Sequence, residues 1–312
     1  MNRETTQAHI RTHLPKRKDS ECEACGGLRL RFWIAKEGVD FVRCAGCGLA
    51  QRRQLPPLQE LFELYENFAR EYYLEKDKKE IDEGIDHSER LQEIRSYRKN
   101  GRLLDVGCST GGFLKAAQKE GWEPYGVDLS PTVAEFCKKD GLKVFAGPLV
   151  ESGYPDEFFD VVRLWATLEH ATEPFPYLQE AHRILRKGGL LLFSVPNVDC
   201  LIFRLLGKRY RYICPEHLYY YSKHSIRSLM SRAGFSHFRV SAKTFDAFSF
   251  LEDWKGKKLI LTAQTAKRER EFVQAAKQSW YHQPLKMAYR FFLRFLETTE
   301  LGDIWFVYAE KE

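Results

Sequence analysis

Cys22 and Cys25 form one Cys-x-x-Cys pair and Cys44 and Cys47 a second, with 18 residues between the pairs. Four thiolates at that spacing can close a tetrahedral shell around one zinc ion, leaving no position for water or substrate. Such a zinc is structural, and a module this small depends on it to fold. Gly26 and Gly27 follow the first pair and Gly46 and Gly48 flank the second. They give the backbone freedom needed to turn two sulfurs onto one ion. Two local disulfides are the competing arrangement. The polar, basic N-terminus carries no apolar stretch of a secretory signal, so a reducing compartment and metal are expected instead.

A second constellation runs Leu103-Leu104-Asp105-Val106-Gly107-Cys108-Ser109-Thr110-Gly111-Gly112-Phe113. A strand ends in an acid, a glycine-rich turn follows, and a helix begins near Gly112. Such a turn lets a ligand approach the backbone, and the helix N-terminus adds partial positive charge. The dinucleotide pattern G-x-G-x-x-G fails at its second glycine, which is Ser109. Asp105 suits a ligand amino group better than a pyrophosphate. In Tyr125-Gly126-Val127-Asp128-Leu129-Ser130-Pro131, Asp128 ends the next strand, where a carboxylate can accept both hydroxyls of a ribose. Ser130 can cap the following helix, with Pro131 in its first turn.

These residues need a frame. The chain has 312 residues, 44% hydrophobic and 29% charged, so it can bury a full core and whole-chain disorder is excluded. A net charge of +6 permits an anionic partner without requiring nucleic acid. No apolar run reaches the roughly 18 residues of a membrane span. From Pro56 to Arg98 the chain is charged and aromatic, with Leu58, Leu61, Phe62, Tyr65 and Phe68 at helical steps. After Asn100-Gly101, short apolar runs alternate with amphipathic segments, the pattern of a parallel sheet with crossover helices. Strands are expected at 102–105, 124–128, 143–146, 159–164 and 190–195, with later ones near 238–241 and 304–309. The organisation is a flexible tail at 1–19, a zinc ribbon at 20–51, a helical linker or lid at 52–99, and a catalytic domain at 100–312 with a helical insertion at about 250–300.

Residues 101 to about 240, with the strand near 304–309, resemble the class I S-adenosylmethionine-dependent methyltransferases. The nearest likeness is to the bacterial small-molecule group of ubiquinone-type O-methyltransferases and sugar methyltransferases. The Asp105–Gly111 loop matches the first family motif and Asp128 the ribose-binding acid. Phe159-Asp160-Val161-Val162 with Leu168-Glu169-His170 matches the fourth-strand motif. Leu185-Arg186-Lys187-Gly188-Gly189 matches the turn before the fifth strand. Ser109, often glycine in the family, is a small departure. The resemblance implies an α/β, Rossmann-like seven-stranded sheet with helices on both faces and an antiparallel final strand. It implies S-adenosylmethionine as cofactor, held by Asp105, Gly107, Ser109, Gly111, Asp128 and Leu129, with Leu149 after the third strand where the family contacts adenine. Trp165 is expected to wall the methionine part. Tyr72 and Tyr73, in the linker helix, are expected near the acceptor, since that helix often folds over the site.

Transfer to a hydroxyl requires a base near the cofactor. His170, beside Glu169, and His217, in Cys214-Pro215-Glu216-His217-Leu218, are the candidates, and the sequence does not choose between them. A carbon or nucleophilic nitrogen acceptor needs neither. After the fifth strand, Leu201 to Cys214 carries Arg204, Lys208, Arg209 and Arg211 and no acid, and these are placed to hold a phosphate or carboxylate. Lys286, Arg290 and Arg294 form a basic stripe on the apolar segment 285–296; burial is the favoured reading and an anionic membrane surface the other. The expected protein is therefore a cytoplasmic methyltransferase for a small-molecule or glycan-type acceptor, nucleotide- or lipid-linked, with a structural zinc. An RNA methyltransferase gripping nucleic acid through the zinc module, or a non-catalytic cofactor-binding scaffold, are the alternatives. The oligomeric state is not legible.

Overall fold

The computed structural model describes residues 20–68, 87–256 and 283–312. The tail expected at 1–19 and the middle of the helical insertion expected at about 250–300 lie outside them. Strands β1 (Leu30–Lys36) and β2 (Val39–Cys44) form an antiparallel hairpin. Glu37 and Gly38 turn it with positive φ at both positions, the handedness that matches the twist of the flanking strands. After β3 (Ala50–Arg52) come the helices α1 (Leu58–Phe68) and α2 (Ser88–Tyr97). The main sheet then begins with β4 (Arg102–Val106), α3 (Gly112–Lys119), β5 (Glu123–Asp128), α4 (Pro131–Lys139) and β6 (Lys143–Ala146). It continues through β7 (Phe159–Trp165), α5 (Pro174–Ile184) and β8 (Leu185–Pro196). The last segments are α6 (Leu201–Leu206), β9 (Tyr219–Tyr220), α7 (Lys223–Arg232), β10 (Phe238–Ala242), α8 (Ala247–Trp254), α9 (Gln283–Thr299) and β11 (Ile304–Glu310).

Seven strands lie in the order β10-β11-β8-β7-β4-β5-β6. The pairs among β4 to β8 are parallel, while β11 runs antiparallel to both β8 and β10. This is the expected α/β sheet with its antiparallel last strand. Its central strands read as continuous apolar runs because helices cover both faces. Leu104, Val162 and Leu191 are fully buried, each side chain stabilising the fold by roughly 1.5–3 kcal/mol. β8 starts ahead of its expected position at 190, because Leu185 already pairs with Phe159 before the ladder shifts to Val161 and Leu190.

The N-terminal module is joined to this domain through backbone. β9, between α6 and α7, pairs antiparallel with β3, so the small sheet is β1-β2-β3-β9 and one of its strands belongs to the catalytic domain. Leu49, Cys22, Cys44 and Cys47 share a buried cluster with Leu104 and Val162. The Ser222 hydroxyl donates to the Cys47 carbonyl at 2.5 Å, Ser228 donates to Ala24 at 2.9 Å, and Arg43 pairs with Asp199 at 2.8 Å. α9 departs from the burial expected for it: Met287, Phe291 and Phe295 are exposed, and Leu296 is buried. Among the described residues no helix is long and apolar enough to cross a membrane.

Candidate functional site

The glycine-rich turn bends the chain back at the carboxyl end of β4. Gly107 adopts φ of 76°, and a Cβ there would lie 2.7 Å from Thr167 Oγ1. Thr167 is held in place by donating to the Val106 carbonyl at 2.9 Å, so the turn and the end of β7 are locked together. Ser109 takes φ of 49°, the left-handed conformation that glycine adopts freely. Its N–H donates to Asp128 Oδ2 at 3.0 Å, and the Ser130 N–H donates to Asp128 Oδ1 at the same distance. Asp128 is thus fixed by two backbone donors at the tip of β5. Burial pushes its carboxyl up to about 6 against those two bonds, and the charges of Asp105 and Glu66 push the same way. Ser130 caps α4 by accepting from the Val133 N–H at 3.2 Å, with Pro131 first in the helix.

The other loop acid has a different situation. Asp105 is 1% exposed and faces Arg163, its register partner on β7, with Nη1 to Oδ1 of 2.5 Å. Burial raises its carboxyl and the guanidinium pulls it back down. The group expected to meet a ligand amino group is thus paired through Oδ1 with an internal cation. Arg163 is further stacked on Phe113, 4.1 Å from the ring centre. Trp165 packs with Arg90 of α2 at 4.5 Å and Phe306 of β11 at 5.3 Å. Leu149 lies in a short 3₁₀ turn after β6 with its side chain fully buried, so only its backbone can face a ligand. Gly111 caps α3 in the left-handed conformation, and Leu129 is half-buried beside Asp128.

His170 and His217, far apart in the chain, come together with ring centres 4.8 Å apart. The Leu218 N–H donates to the Glu169 carbonyl at 2.7 Å, tying the two segments by backbone. His170 Nδ1 lies 3.0 Å from the Glu216 carbonyl oxygen, which can only accept, so Nδ1 carries the proton and Nε2 keeps its lone pair. The Glu216 backbone, and not the neighbouring Glu169 side chain, orients this imidazole at Nδ1. Glu169 is 4% exposed, its Oε2 has no hydrogen-bond partner, and burial pushes its carboxyl up to about 8. Burial also lowers both histidines, His217 the more strongly, so both imidazoles are neutral at pH 7.

α1, part of the segment expected as a linker or lid, touches both groups. The Tyr65 ring stands edge-on to His170 with centres 6.0 Å apart. The adjacent Glu66 accepts from the Ser130 hydroxyl at 2.7 Å and from Thr132, beside Asp128. In the sequence Tyr65 is one of a set of core-facing aromatics, and Glu66 one acid in a charged helix. Tyr72 and Tyr73 lie outside the described residues. Of the basic segment, Arg211 is not available to an acceptor: its Nε and Nη2 both reach Asp253 at 3.0 Å, and Asp253 is 5% exposed. Arg204, Lys208 and Arg209 are exposed on and after α6.

In the N-terminal module, Cys22 Sγ and Cys47 Sγ are 3.4 Å apart, and Cys25 Sγ and Cys44 Sγ 3.7 Å. All four sulfurs fall within 4.8 Å of one another as free thiols. The Gly46 N–H donates to Cys44 Sγ at 3.3 Å. Burial raises the Cys44 thiol, but the backbone N–H groups of Cys47 and Gly46 outweigh it and hold the thiol down at about 7.

A family model described as a methyltransferase domain matches residues 73–238. An uncharacterised protein of Methanocaldococcus jannaschii is 31% identical over 147 residues, which are 47% of this chain and 66% of that protein. The ubiquinone biosynthesis O-methyltransferase of Methylococcus capsulatus is 29% identical over 133 residues, 39% of this chain and 56% of that enzyme. The chain thus spans less than two thirds of either relative. Among solved structures, a Thermotoga maritima S-adenosylmethionine-dependent methyltransferase, described as a possible histamine N-methyltransferase, superposes with a TM-score of 0.51 at 20% identity. The match covers 80% of this chain and 100% of that one. The phosphoethanolamine N-methyltransferase 2 of Haemonchus contortus, in complex with S-adenosylmethionine, gives 0.50 at 17% identity, covering 84% and 61%. At those identities the likeness is one of fold.

Proposed function

The chain belongs to the methyltransferase-domain family, and on that premise we propose that it transfers the methyl group of S-adenosylmethionine to a hydroxyl of a small-molecule or glycan-type acceptor. The observation that carries this reading is Asp128. Two backbone donors hold its carboxylate at the end of β5, beside a left-handed turn and the start of α3. In open parallel sheets ligands bind at that edge, and a carboxylate so fixed can accept both hydroxyls of a ribose. Glu66 adds negative potential beside Asp128, which favours a cationic cofactor over a pyrophosphate.

The cofactor supplies an electrophilic methyl group on a sulfonium; the protein must bring the acceptor into line with it. The neutral imidazoles of His170 and His217 offer lone pairs at the acceptor side, where one of them can take the hydroxyl proton. A hydroxyl acceptor is supported by the O-methyltransferase named among the relatives. Exposed Arg204, Lys208 and Arg209 suit an anionic, nucleotide- or lipid-linked compound. The exposed apolar side chains of α9 beside Arg290 and Arg294 suit contact with an anionic membrane surface, and the free thiols suit the cytoplasm.

The four thiols fit a structural zinc. Sulfurs about 2.3 Å from a tetrahedral ion stand about 3.8 Å apart, close to the separations of the two nearest pairs. Cys22, Cys25, Cys44 and Cys47 would hold the ion and fix the hairpin on the catalytic domain. The test of the enzymatic reading is incubation of the protein and methyl-labelled S-adenosylmethionine with fractionated cell extract. Label is expected in a small anionic compound; no cofactor binding, or label only in RNA, overturns the reading.

A further inference from the structure

We propose that Glu169, His170 and His217 form a second metal site, binding one divalent cation of the Mn²⁺, Fe²⁺, Co²⁺ or Zn²⁺ type on the acceptor side of the cleft. The proposal rests on the methyltransferase reading only for the cation's role, not for its binding. One carboxylate oxygen and one nitrogen from each histidine lie within 4.8 Å of one another. A shared ion needs each ligand at about 2.1 Å, which side-chain rotation can reach from that spread.

Each of the three side chains presents an atom that an ion would fill. Glu169 Oε2 and His217 Nδ1 are buried atoms without a hydrogen-bond partner, an arrangement that is costly unless something occupies it. Among the described residues Glu169 has no ion pair that would balance its charge. His170 shows the support common to metal-bound imidazoles: its Nδ1–H donates to a backbone carbonyl, that of Glu216, and leaves Nε2 as the ligand. His217 stands beside it, with ring centres 4.8 Å apart. Its Nδ1 is buried and has no partner, so Nδ1 is the nitrogen that an ion would fill. The Leu218-to-Glu169 backbone bond keeps His217 at the same height as the other two.

The chemistry of the donor set separates this site from the ribbon. Two imidazoles and one carboxylate suit borderline first-row cations and leave coordination positions open, whereas four thiolates close the shell. With three protein ligands, a coordination position stays open for an oxygen of the acceptor. The histidines then act as ligands: the cation would orient the acceptor hydroxyl and lower its pKa so that its proton passes to water, after which the S–CH3 bond of the cofactor breaks as the O–CH3 bond forms and S-adenosylhomocysteine leaves.

The test uses the full chain with its ribbon metal in place, freed of loosely held metal and titrated with Mn²⁺, which competes poorly for thiolates. Loss of the free Mn²⁺ paramagnetic resonance signal should report one ion per chain. Glu169→Gln and His217→Gln should each weaken binding at least tenfold. In the wild type, which needs no variant to fold, Mn²⁺ should broaden the ring-proton resonances of His170 and His217 before those of His182 and His224. An unchanged Mn²⁺ signal, or binding that leaves the two ring resonances sharp, overturns the proposal. Absent Mn²⁺ binding together with intact methyl transfer leaves the enzymatic reading standing and returns the histidines to the role of base. Mn²⁺ binding without cofactor binding does the reverse.

Discussion

The ribbon and the cofactor turn are both short motifs built around chemically apt pairs of residues, yet they resolve differently in three dimensions. In the ribbon every sulfur of the motif ends at the same point, Cys22 beside Cys47 and Cys25 beside Cys44. In the turn the two acids part. Asp128 stays at the edge on backbone donors, while Asp105 pairs through Oδ1 with Arg163 one strand away. A closed metal shell needs all of its residues at one centre, so spacing alone reports its geometry. An open ligand site shares its residues with the core that carries it. There, spacing cannot say which acid the core will pair with a buried cation.

The largest effect that could break this contrast is loss of the ribbon metal. The protein should hold about one tightly bound zinc per chain, and Cys44→Ser should release it. Because metal binding in small four-ligand modules is worth about 10–16 kcal/mol and is folding free energy, the variant should lose several kcal/mol of stability. The damage should spread to β9 and to His217 beside it, so methyl transfer should fall along with the ribbon. Metal analysis with thermal unfolding checks this; zinc-free protein of wild-type stability would remove the closed shell from the comparison.

Next comes the division between the two acids. Asp105→Ala strands the Arg163 guanidinium in the core and should destabilise the domain by about 3–5 kcal/mol, read by denaturant unfolding. Asp128→Ala should leave unfolding nearly unchanged and weaken S-adenosylmethionine binding tenfold to several-hundredfold. The lost charge-assisted bonds are worth about 1.5–3 kcal/mol each. Calorimetry that found the affinity loss at Asp105 and the stability loss at Asp128 would invert the assignment.

A pH titration sharpens the same point. The Asp128 carboxyl is raised to about 6, and the ribose contact needs its ionised form. Cofactor affinity should be flat above pH 6 and fall about tenfold per pH unit below it, a slope absent from Asp128→Asn. The stability contribution of this group runs in the opposite sense. It is fully present below the unfolded value of about 3.9 and is lost as pH rises through about 6.

The smallest effect concerns the basic segment. Replacing Arg204 and Arg209 by Gln should raise the acceptor KM a few-fold and leave cofactor affinity intact, with the difference shrinking as salt increases. Arg211→Gln should instead cost stability by leaving buried Asp253 unpaired. Wild-type KM in the double variant at low salt would make Arg204 and Arg209 ordinary surface cations.

While the antiparallel last strand was what the family resemblance implied, the parallel strands, the four-sulfur cluster and the position of Asp128 were legible in the residues themselves. Each depends on local relations: apolar runs of strand length, two Cys-x-x-Cys pairs, an acid at a fixed offset from a strand. Ser109 shows how far this reaches, since its left-handed backbone follows from its place in the turn and not from its side chain. The tertiary structure alone decided what depends on neighbours remote in the chain. Arg163 claimed Asp105 because parallel pairing sets them in register. Asp253 claimed Arg211 across 42 positions. Tyr65 and Glu66 came to touch His170 and Ser130, β9 completed the ribbon sheet, and His217 was set beside Glu169 and His170 by one backbone bond. The physical reason is that buried charges and polar atoms must find partners wherever the fold places them, and sequence distance carries no record of that choice.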